Sequence, residues 1–313
     1  MVWPRSGLTS LVCQLKHAAE YLRTDGPVWL TRVTAFKIAG LLWPVLPPVT
    51  FKSLRMFLVL GYWPDIRKPR SFNEKIAYRQ LCAPHRLAPL VADKWRVRQY
   101  VAERGLAHIL NEVYFVTDDP DKIPFDDLPD RFAIKANHGC SWNILVNDKT
   151  ALNRQETIKL CRKWLSSKYS RTNVNDETHY DSITPLLLVE KFIGTGPVGV
   201  LLDYKFLCFH GKVHCIYVVD KAGHSTLNCY NTRWEDLAIR YVHPIGKGVP
   251  RPAILPEMID IAERLSRDFD FCRVDLYAPD DARVVFGEIT LNPTGGVGRF
   301  VPGEWDFRLG ELW

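Results

Sequence analysis

The chain has 313 residues, 47% hydrophobic and 24% charged, an ordinary globular balance with room for one large domain with subdomains or for two domains. It contains no low-complexity tract or periodic repeat, which excludes a solenoid or a propeller. The net charge of +6 is uneven: residues 1–70 carry ten Lys/Arg against Glu20, Asp25 and Asp65, so this segment is +7 and the remainder −1.

That basic segment includes the apolar stretch VWLTRVTAFKIAGLLWPVLPPV. Its longest uncharged run, Ile38 to Phe51, holds three prolines. Spanning a bilayer takes about 20 apolar residues, so this run is too short. It also lacks the small-residue cleavage site of a signal peptide. A basic, aromatic, amphipathic segment can lie on an anionic membrane surface or pack on the core with its charges solvated, and the residues leave both open. No nucleic-acid partner is expected, because the basic residues are not interleaved with a recognisable binding module.

Next, SFNEKIAYRQL reads as a helix start, with Ser71 as cap and Glu74 three residues on. PLVADKWRVRQYVAERG predicts a second helix, ended by Gly105 and carrying Lys94 beside Asp93. LNEVYFV predicts a strand, followed by an acidic, proline-rich connection. RFAIKANHGCSWNILVND reads as strand, loop, strand, and residues 151–168 as a helix. PLLLVEKFI is a short apolar strand that breaks at GTGPVG. That GxGxxG contains Pro197 and precedes a β-run instead of a helix, which rules out a dinucleotide fingerprint. VLLDYKFLCFHGKVHCIYVVD predicts a hairpin turning at His210–Lys212, and PEMIDIAERLSRDF an amphipathic helix. FCRVDLYA and ARVVFGEITLN close the chain's β pattern. Strands and helices mix without strict alternation, so the expected class is α+β with largely antiparallel sheets.

The eight cysteines form no CxxC pair and read as reduced thiols of a cytosolic protein, fitting neither a zinc site nor a disulfide framework. Cys140 lies in a polar loop near His138, but sequence adjacency is poor ground for a nucleophile pair. The polar, aromatic DETHYDS (Asp176–Ser182) has side chains that could touch substrate, but such a segment is more often an ordinary loop.

The last two strands carry the chemistry. Alternation puts Arg273 and Asp275 on one face of FCRVDLYA, and Glu288, Thr290 and Asn292 on one face of VVFGEITLN. If these strands pair as a hairpin, Asp275 and Glu288 face each other. Adjacent carboxylates repel unless a cation lies between them. Oxygen donors without histidine suit Mg²⁺, which binds through one or two carboxylates plus substrate phosphates, while solvated surface carboxylates are the ordinary alternative. Lys135 in FAIKAN, Lys205 on the strand face of Asp203, and Lys94 each need a partner if buried, either a phosphate or, as the ordinary alternative, an internal carboxylate such as Asp203. Three such lysines and a carboxylate pair point to a triphosphate.

The ordered set SFNEKIAY, ADKWRVRQYV, LPDRFAIKANHG, LLVEKFIG, DYKFLCFHGKV, EMIDIAERLS, RVDLY and FGEITLNPTGG, from Ser71 to the C-terminus, resembles the ATP-grasp enzymes. More closely, it is similar to the teichuronopeptide-biosynthesis (TupA-like) ATP-grasp family. That resemblance implies two mainly antiparallel subdomains clasping ATP: a small one over 131–193 and a large one over 194–313, after a basic segment 1–70 and a helical linking region 71–130. It implies that Lys94 and Lys135 contact ATP, Lys135 at the α/β-phosphates, and that the loop with His138, Gly139 and Ser141 closes over the phosphates. Glu190, Lys191 and Ile193 would form the hinge reading adenine; Lys205, with Asp203 beside it, would reach the γ-phosphate. Asp275 and Glu288 would hold Mg²⁺, with Thr290 or Asn292 as third ligand, and Arg273 would steady developing charge.

Two departures stand out. The loop NHGCSWN carries Trp142 where the family tends to be glycine-rich, and Thr290 stands where Glu-x-Asn is common. The implied activity is ATP-dependent joining of an amino acid or amine to a carboxylate in cell-surface polysaccharide assembly. It would take place in the cytoplasm or at the inner membrane face, on a carboxylate-bearing glycan or sugar. A glycosyltransferase or a non-catalytic nucleotide-binding partner are the alternatives.

Overall fold

The computed structural model describes residues 31–32, 35–36, 45–171, 177–194, 201–223, 225–279 and 281–313. Most of the basic N-terminal stretch, the interior of GTGPVG and the first residue of DETHYDS lie outside them. No helix among the described residues is long and apolar enough to cross a membrane. The described cysteines are all free thiols.

Between Pro48 and the first strand the chain forms four α-helices. α1 (Pro48–Leu60) stops at Gly61, whose φ of 89° is left-handed. α2 (Phe72–Leu81) opens with a capping box: the Glu74 amide donates to the Ser71 hydroxyl at 3.2 Å, and the Ser71 amide donates to Glu74 Oε2 at 2.9 Å. The expected second helix is instead two, α3 (Ala88–Ala92) and α4 (Val97–Glu103). Asp93 breaks it, because its Oδ1 accepts from the Trp95 and Arg96 amides at 2.9 and 3.2 Å and so competes with the helical bonds. Lys94 therefore sits at a break, not within a helix.

The strands follow the expected mixed pattern, and every pairing is antiparallel. β1 (Val113–Thr117), β2 (Phe132–Ala136), β3 (Asn143–Val146) and β4 (Leu187–Lys191) form one sheet in the order β1-β4-β2-β3. β1, assigned from the sequence to the linking region, thus belongs to this sheet. One face packs Phe132, Ile134, Leu187 and Val189 on Cys161 and Trp164 of α5 (Arg154–Ser166). The other face carries Lys135, Leu188 and Glu190.

β5 (Asp203–Phe209), β6 (Lys212–Asp220), β7 (Thr226–Tyr230), β9 (Phe271–Tyr277) and β10 (Val285–Thr290) build the second sheet in the order β10-β9-β5-β6-β7. The β5–β6 turn uses His210 and Gly211, both with positive φ, as tight hairpins require. Between β7 and β9 the chain forms β8 (Arg240–Tyr241) and α6 (Leu255–Ser266). α6 lays Met258, Ile261 and Leu265 against one face of the sheet, where Tyr204, Phe206, Cys272, Val274 and Leu276 point. After β10, β11 (Phe300–Val301) pairs with β8, and α7 (Glu304–Glu311) ends the fold. Part of the sheet's opposite face lies under Phe72 and Ile76 of α2, Tyr241, Phe300 and Leu309. The rest of that face is uncovered by this cluster, and it carries the charged side chains.

Candidate active site

Strand register assembles the charges. Glu288 pairs with Asp275 across β10–β9, and Asp275 pairs with Lys205 across β9–β5. A β-bulge between Phe286 and Glu288 sets this phase. Phe286, opposite Leu276, enters the core, whereas simple alternation would put it on Glu288's face. Gly287 occupies the bulge, where an added Cβ would lie 2.8 Å from the Asp275 carbonyl oxygen.

Asp275 is 2% exposed and wholly engaged by cations. Arg273 Nε donates to its Oδ1 at 2.6 Å and Nη2 to its Oδ2 at 2.8 Å, while Lys205 Nζ also donates to Oδ2. The same Nη2 reaches Glu288 Oε1 at 2.8 Å and Thr290 Oγ1 at 3.1 Å. Thr290 in turn donates to Glu288 Oε1 at 2.9 Å. Lys205 also lies 2.8 Å from Asp203, which Lys221 approaches at 3.0 Å.

Burial lowers the Lys205 ammonium, but Asp275 and Asp203 outweigh it and hold its pKa above the usual lysine value. Desolvation by the cleft walls raises the half-exposed Glu288 carboxyl, and Arg273, Lys205 and Lys94 overcome it, so Glu288 lies below its usual value. Three cations from separate elements therefore act on one carboxylate.

The first sheet faces this cluster. Lys135 Nζ donates to Glu190 Oε2 at 2.6 Å, and Glu190 is 5% exposed. Lys94 Nζ donates to the Gly139 carbonyl. Burial depresses the Lys94 pKa, and its ammonium is acted on by Glu288 from one sheet and by Lys135 and Glu190 from the other. Lys94 is thus the charge that stands between the two sheets.

Asn137, which sequence reasoning passed over, organises the loop after β2. Its Nδ2 donates to Asp93 Oδ1 and to the Thr184 carbonyl, both at 3.0 Å, and its Oδ1 accepts from the Leu186 amide at 2.7 Å. The Lys94 amide also donates to the Asn137 carbonyl at 3.2 Å. The only sequence signal was its place two residues after Lys135. Tyr180, in the 3-10 turn Thr178–Ser182, was named only within a segment; it too feels the charge of Glu288.

His138 is 2% exposed, with its ring nitrogens 3.1 Å from Asn137 Oδ1 and from the Trp164 carbonyl oxygen. Its side chain therefore faces the core, away from Cys140. Trp142 folds inward, its ring parallel to that of Trp164 and edge-on to His138 and Tyr169. A Cβ on Gly139 would meet Trp142 at 2.7 Å, so this glycine makes room for the tryptophan. Ser141 is exposed, with a φ of 61°. Lys191 points outward and pairs with Glu112 at 3.2 Å, and Ile193 is half-buried just beyond the strand.

The oxygen donors fit a hard divalent ion. Asn292 Oδ1 is buried with no hydrogen-bond partner, and no bond engages Glu288 Oε2 among the described residues. No group of three His, Cys, Asp or Glu that could hold a metal occurs among the described residues. Glu288 Oε2 and Asn292 Oδ1 are the oxygens left open, of the type Mg²⁺ prefers, whereas Asp275 would have to give up contacts with Arg273 or Lys205 to join them.

Many solved structures are similar to this chain. The D-alanine–D-alanine ligase from Bacillus anthracis complexed with ATP is 17% identical over 65% of this chain and 54% of its own, with a TM-score of 0.37. A second structure of that ligase reaches 16% identity over 71% and 66%, with a TM-score of 0.42. N5-carboxyaminoimidazole synthase from Aspergillus clavatus, in complex with ADP and 5-aminoimidazole ribonucleotide, is 13% identical over 64% and 44%, with a TM-score of 0.38. This chain thus spans about half to two thirds of the length of the structures it matches. No curated protein matches it. The family model of the TupA-like ATP-grasp proteins matches residues 74–313, which take in both sheets and every charged group of the cleft, and the chain belongs to that family.

Proposed function

We propose that this protein is an ATP-dependent carboxylate–amine ligase acting in cell-surface polysaccharide assembly. The observation that carries this reading is the in-register pair Asp275 and Glu288, flanked by Lys205 and Arg273 and facing Lys94 across the cleft, in a TupA-like ATP-grasp chain. Lys94 and Lys135 bind the phosphates beneath the loop of residues 137–142, and the backbone of Glu190 to Ile193 meets the adenine. Lys205 takes the γ-phosphate. Asp275 and Glu288 would hold Mg²⁺, and the unpartnered Asn292 oxygen favours Asn292 over Thr290, whose hydroxyl is already engaged. The ion would neutralise phosphate charge.

The chain's own work is positioning and electrostatics. Arg273, freed from part of its carboxylate contacts, stabilises negative charge that develops as the substrate carboxylate takes the γ-phosphoryl group and then meets the amine. No protein nucleophile is required. Basic residues of segment 1–70 keep the enzyme near acidic lipid or glycan at the inner membrane face.

Incubation with ATP, Mg²⁺, pooled amino acids and uronic-acid glycans, followed by assay of ADP, phosphate and adducts, tests the reading. ADP release that needs both substrates, and that falls at least about 100-fold in Glu288→Gln, is expected. Nucleotide-sugar turnover without ADP would establish a glycosyltransferase instead. ATP binding without turnover would leave only a nucleotide-binding partner.

A further inference from the structure

The fold sorts the described basic residues ahead of α2 into two groups. On α1, Lys52 is 0% exposed and its Nζ donates to Gln80 Oε1 at 2.8 Å, while the buried Arg55 guanidinium lies over the rings of Phe36 and Phe51. Arg67, Lys68 and Arg70, in the loop between α1 and α2, are exposed instead. Asp65 is the acid of that loop, and its Oδ1 accepts from the Arg67 and Lys68 amides at 3.2 and 3.0 Å. The Arg32 guanidinium adds a fourth cation over Gly61, where an added Cβ would lie 2.7 Å from it. These cations edge an apolar face. α1 ends in MFLVL, apolar on every side, so burying Met56 with Ile66 and Ala77 leaves Phe57 38% exposed. Trp63 is 61% exposed, with its ring centroid 5.8 Å from that of Phe57. Leu54 and Leu58 are half-buried on the same stripe of the helix as Phe57.

We propose that this face is a peripheral contact with an anionic lipid bilayer, seated by Trp63 and Phe57 and held by Arg32, Arg67, Lys68 and Arg70. It rests on the membrane-face placement given above, for which it names the contacting surface, and it is independent of the ligase chemistry. Four cations against Asp65 leave the patch at +3, complementary to lipid phosphate. Aromatic rings edged by cations settle at headgroup level, where the rings reach the acyl boundary and the cations stay wet. A free polyanion would satisfy the cations but not Phe57, Leu54 and Leu58, and that apolar stripe selects lipid. With 13 residues, α1 is about 20 Å long, short of a hydrocarbon core of about 30 Å, so the contact lies on the bilayer and does not cross it.

Co-sedimentation of the full chain with lipid vesicles, in the absence of ATP, tests this. Phosphatidylcholine vesicles with about 30% phosphatidylglycerol should bind the protein at about 0.05 M salt and release most of it at about 0.5 M. Pure phosphatidylcholine should bind at least about tenfold less. Each cation near such a surface is worth roughly fivefold in affinity, so Arg67→Ala combined with Lys68→Ala should weaken binding about 25-fold. Trp63→Ala should weaken it about tenfold. The three substituted side chains are exposed, and unchanged melting temperatures show that the fold is kept. The other cations of residues 1–44 are present in every variant, so full binding by both variants would put the contact there and overturn the proposal. Failure to sediment with the anionic vesicles overturns it too, as does equal binding to pure phosphatidylcholine. A dimer that Trp63→Ala dissociates in analytical ultracentrifugation would mean that a second copy covers the face, which also overturns it. Vesicle binding without ADP release in the ligase assay would sink the ligase reading and leave this one standing.

Discussion

The two sheets reach the cleft by different means. The second sheet puts Asp203, Lys205, Arg273, Asp275 and Glu288 on neighbouring strand positions, tied into one network and backed by α6. The first sheet contributes one ion pair, Lys135–Glu190, and its loop is held by the Asn137 side chain together with Lys94 on the Gly139 carbonyl and the inward-packed His138 and Trp142. A lattice of mutually bonded charges keeps its geometry because each group fixes the next. The loop has no such chain of ion pairs, and its ties to Asp93, Thr184 and Leu186 all pass through Asn137. The contrast assigns rigidity to the acid-bearing sheet and adaptability to the loop that faces it.

Asp275→Ala should break the stronger side outright. It leaves Arg273 and Lys205 buried without their shared carboxylate, and a loss of about 3–5 kcal/mol in urea-unfolding stability is expected. A variant within 1 kcal/mol of wild type in that assay would mean the network is not a structural unit. Asn137→Ala should release the opposite loop, at about 2–3 kcal/mol, because Asp93, Thr184 and the Leu186 amide lose partners. Hydrogen exchange should speed up around residues 137–142 and 184–186 while β9 and β10 stay protected. Equal loosening of both sheets would refute the asymmetry.

A smaller effect concerns the far end of the second sheet. Burial would raise the Asp270 carboxyl, but Arg79, with help from the Trp313 indole and the Phe271 amide, holds it below the usual carboxylate range. A depressed carboxylate stabilises the fold fully above its unfolded pKa, near 3.9, and loses that stabilisation as pH falls through the folded value. The melting temperature should therefore drop below about pH 4, and Asp270→Asn should flatten that slope. The smallest change is expected for Lys191→Ala. Its pair with Glu112 is half-exposed on both sides, so the loss should stay under about 0.5 kcal/mol.

Much of the second sheet was legible because the signals are local. Alternation places Arg273 and Asp275 on one face and Cys272, Val274 and Leu276 on the other, and both assignments hold in the sheet. Ser71 and Glu74 announce their capping box within four residues. Asp93 misled for an equally local reason: the apolar spacing around it is helical, yet its side chain captures the amides that the helix needed. Trp142 read only as a departure from a glycine-rich loop, and its neighbours Trp164 and Tyr169 reveal that it packs inward.

The amino-acid sequence by itself determined the α+β class, the family, and the faces of the strands, since side-chain periodicity and capping depend on residues a few places apart. Tertiary structure alone decided that Lys205 lies between Asp203 and Asp275, that Lys135 meets Glu190, and that Asn137 joins Asp93 to the strand at Leu186. Apart from Asp203, which shares a strand face with Lys205, those partners lie tens of residues apart along the chain, and only register, a bulge at Gly287 and the packing of one sheet over its core bring them together.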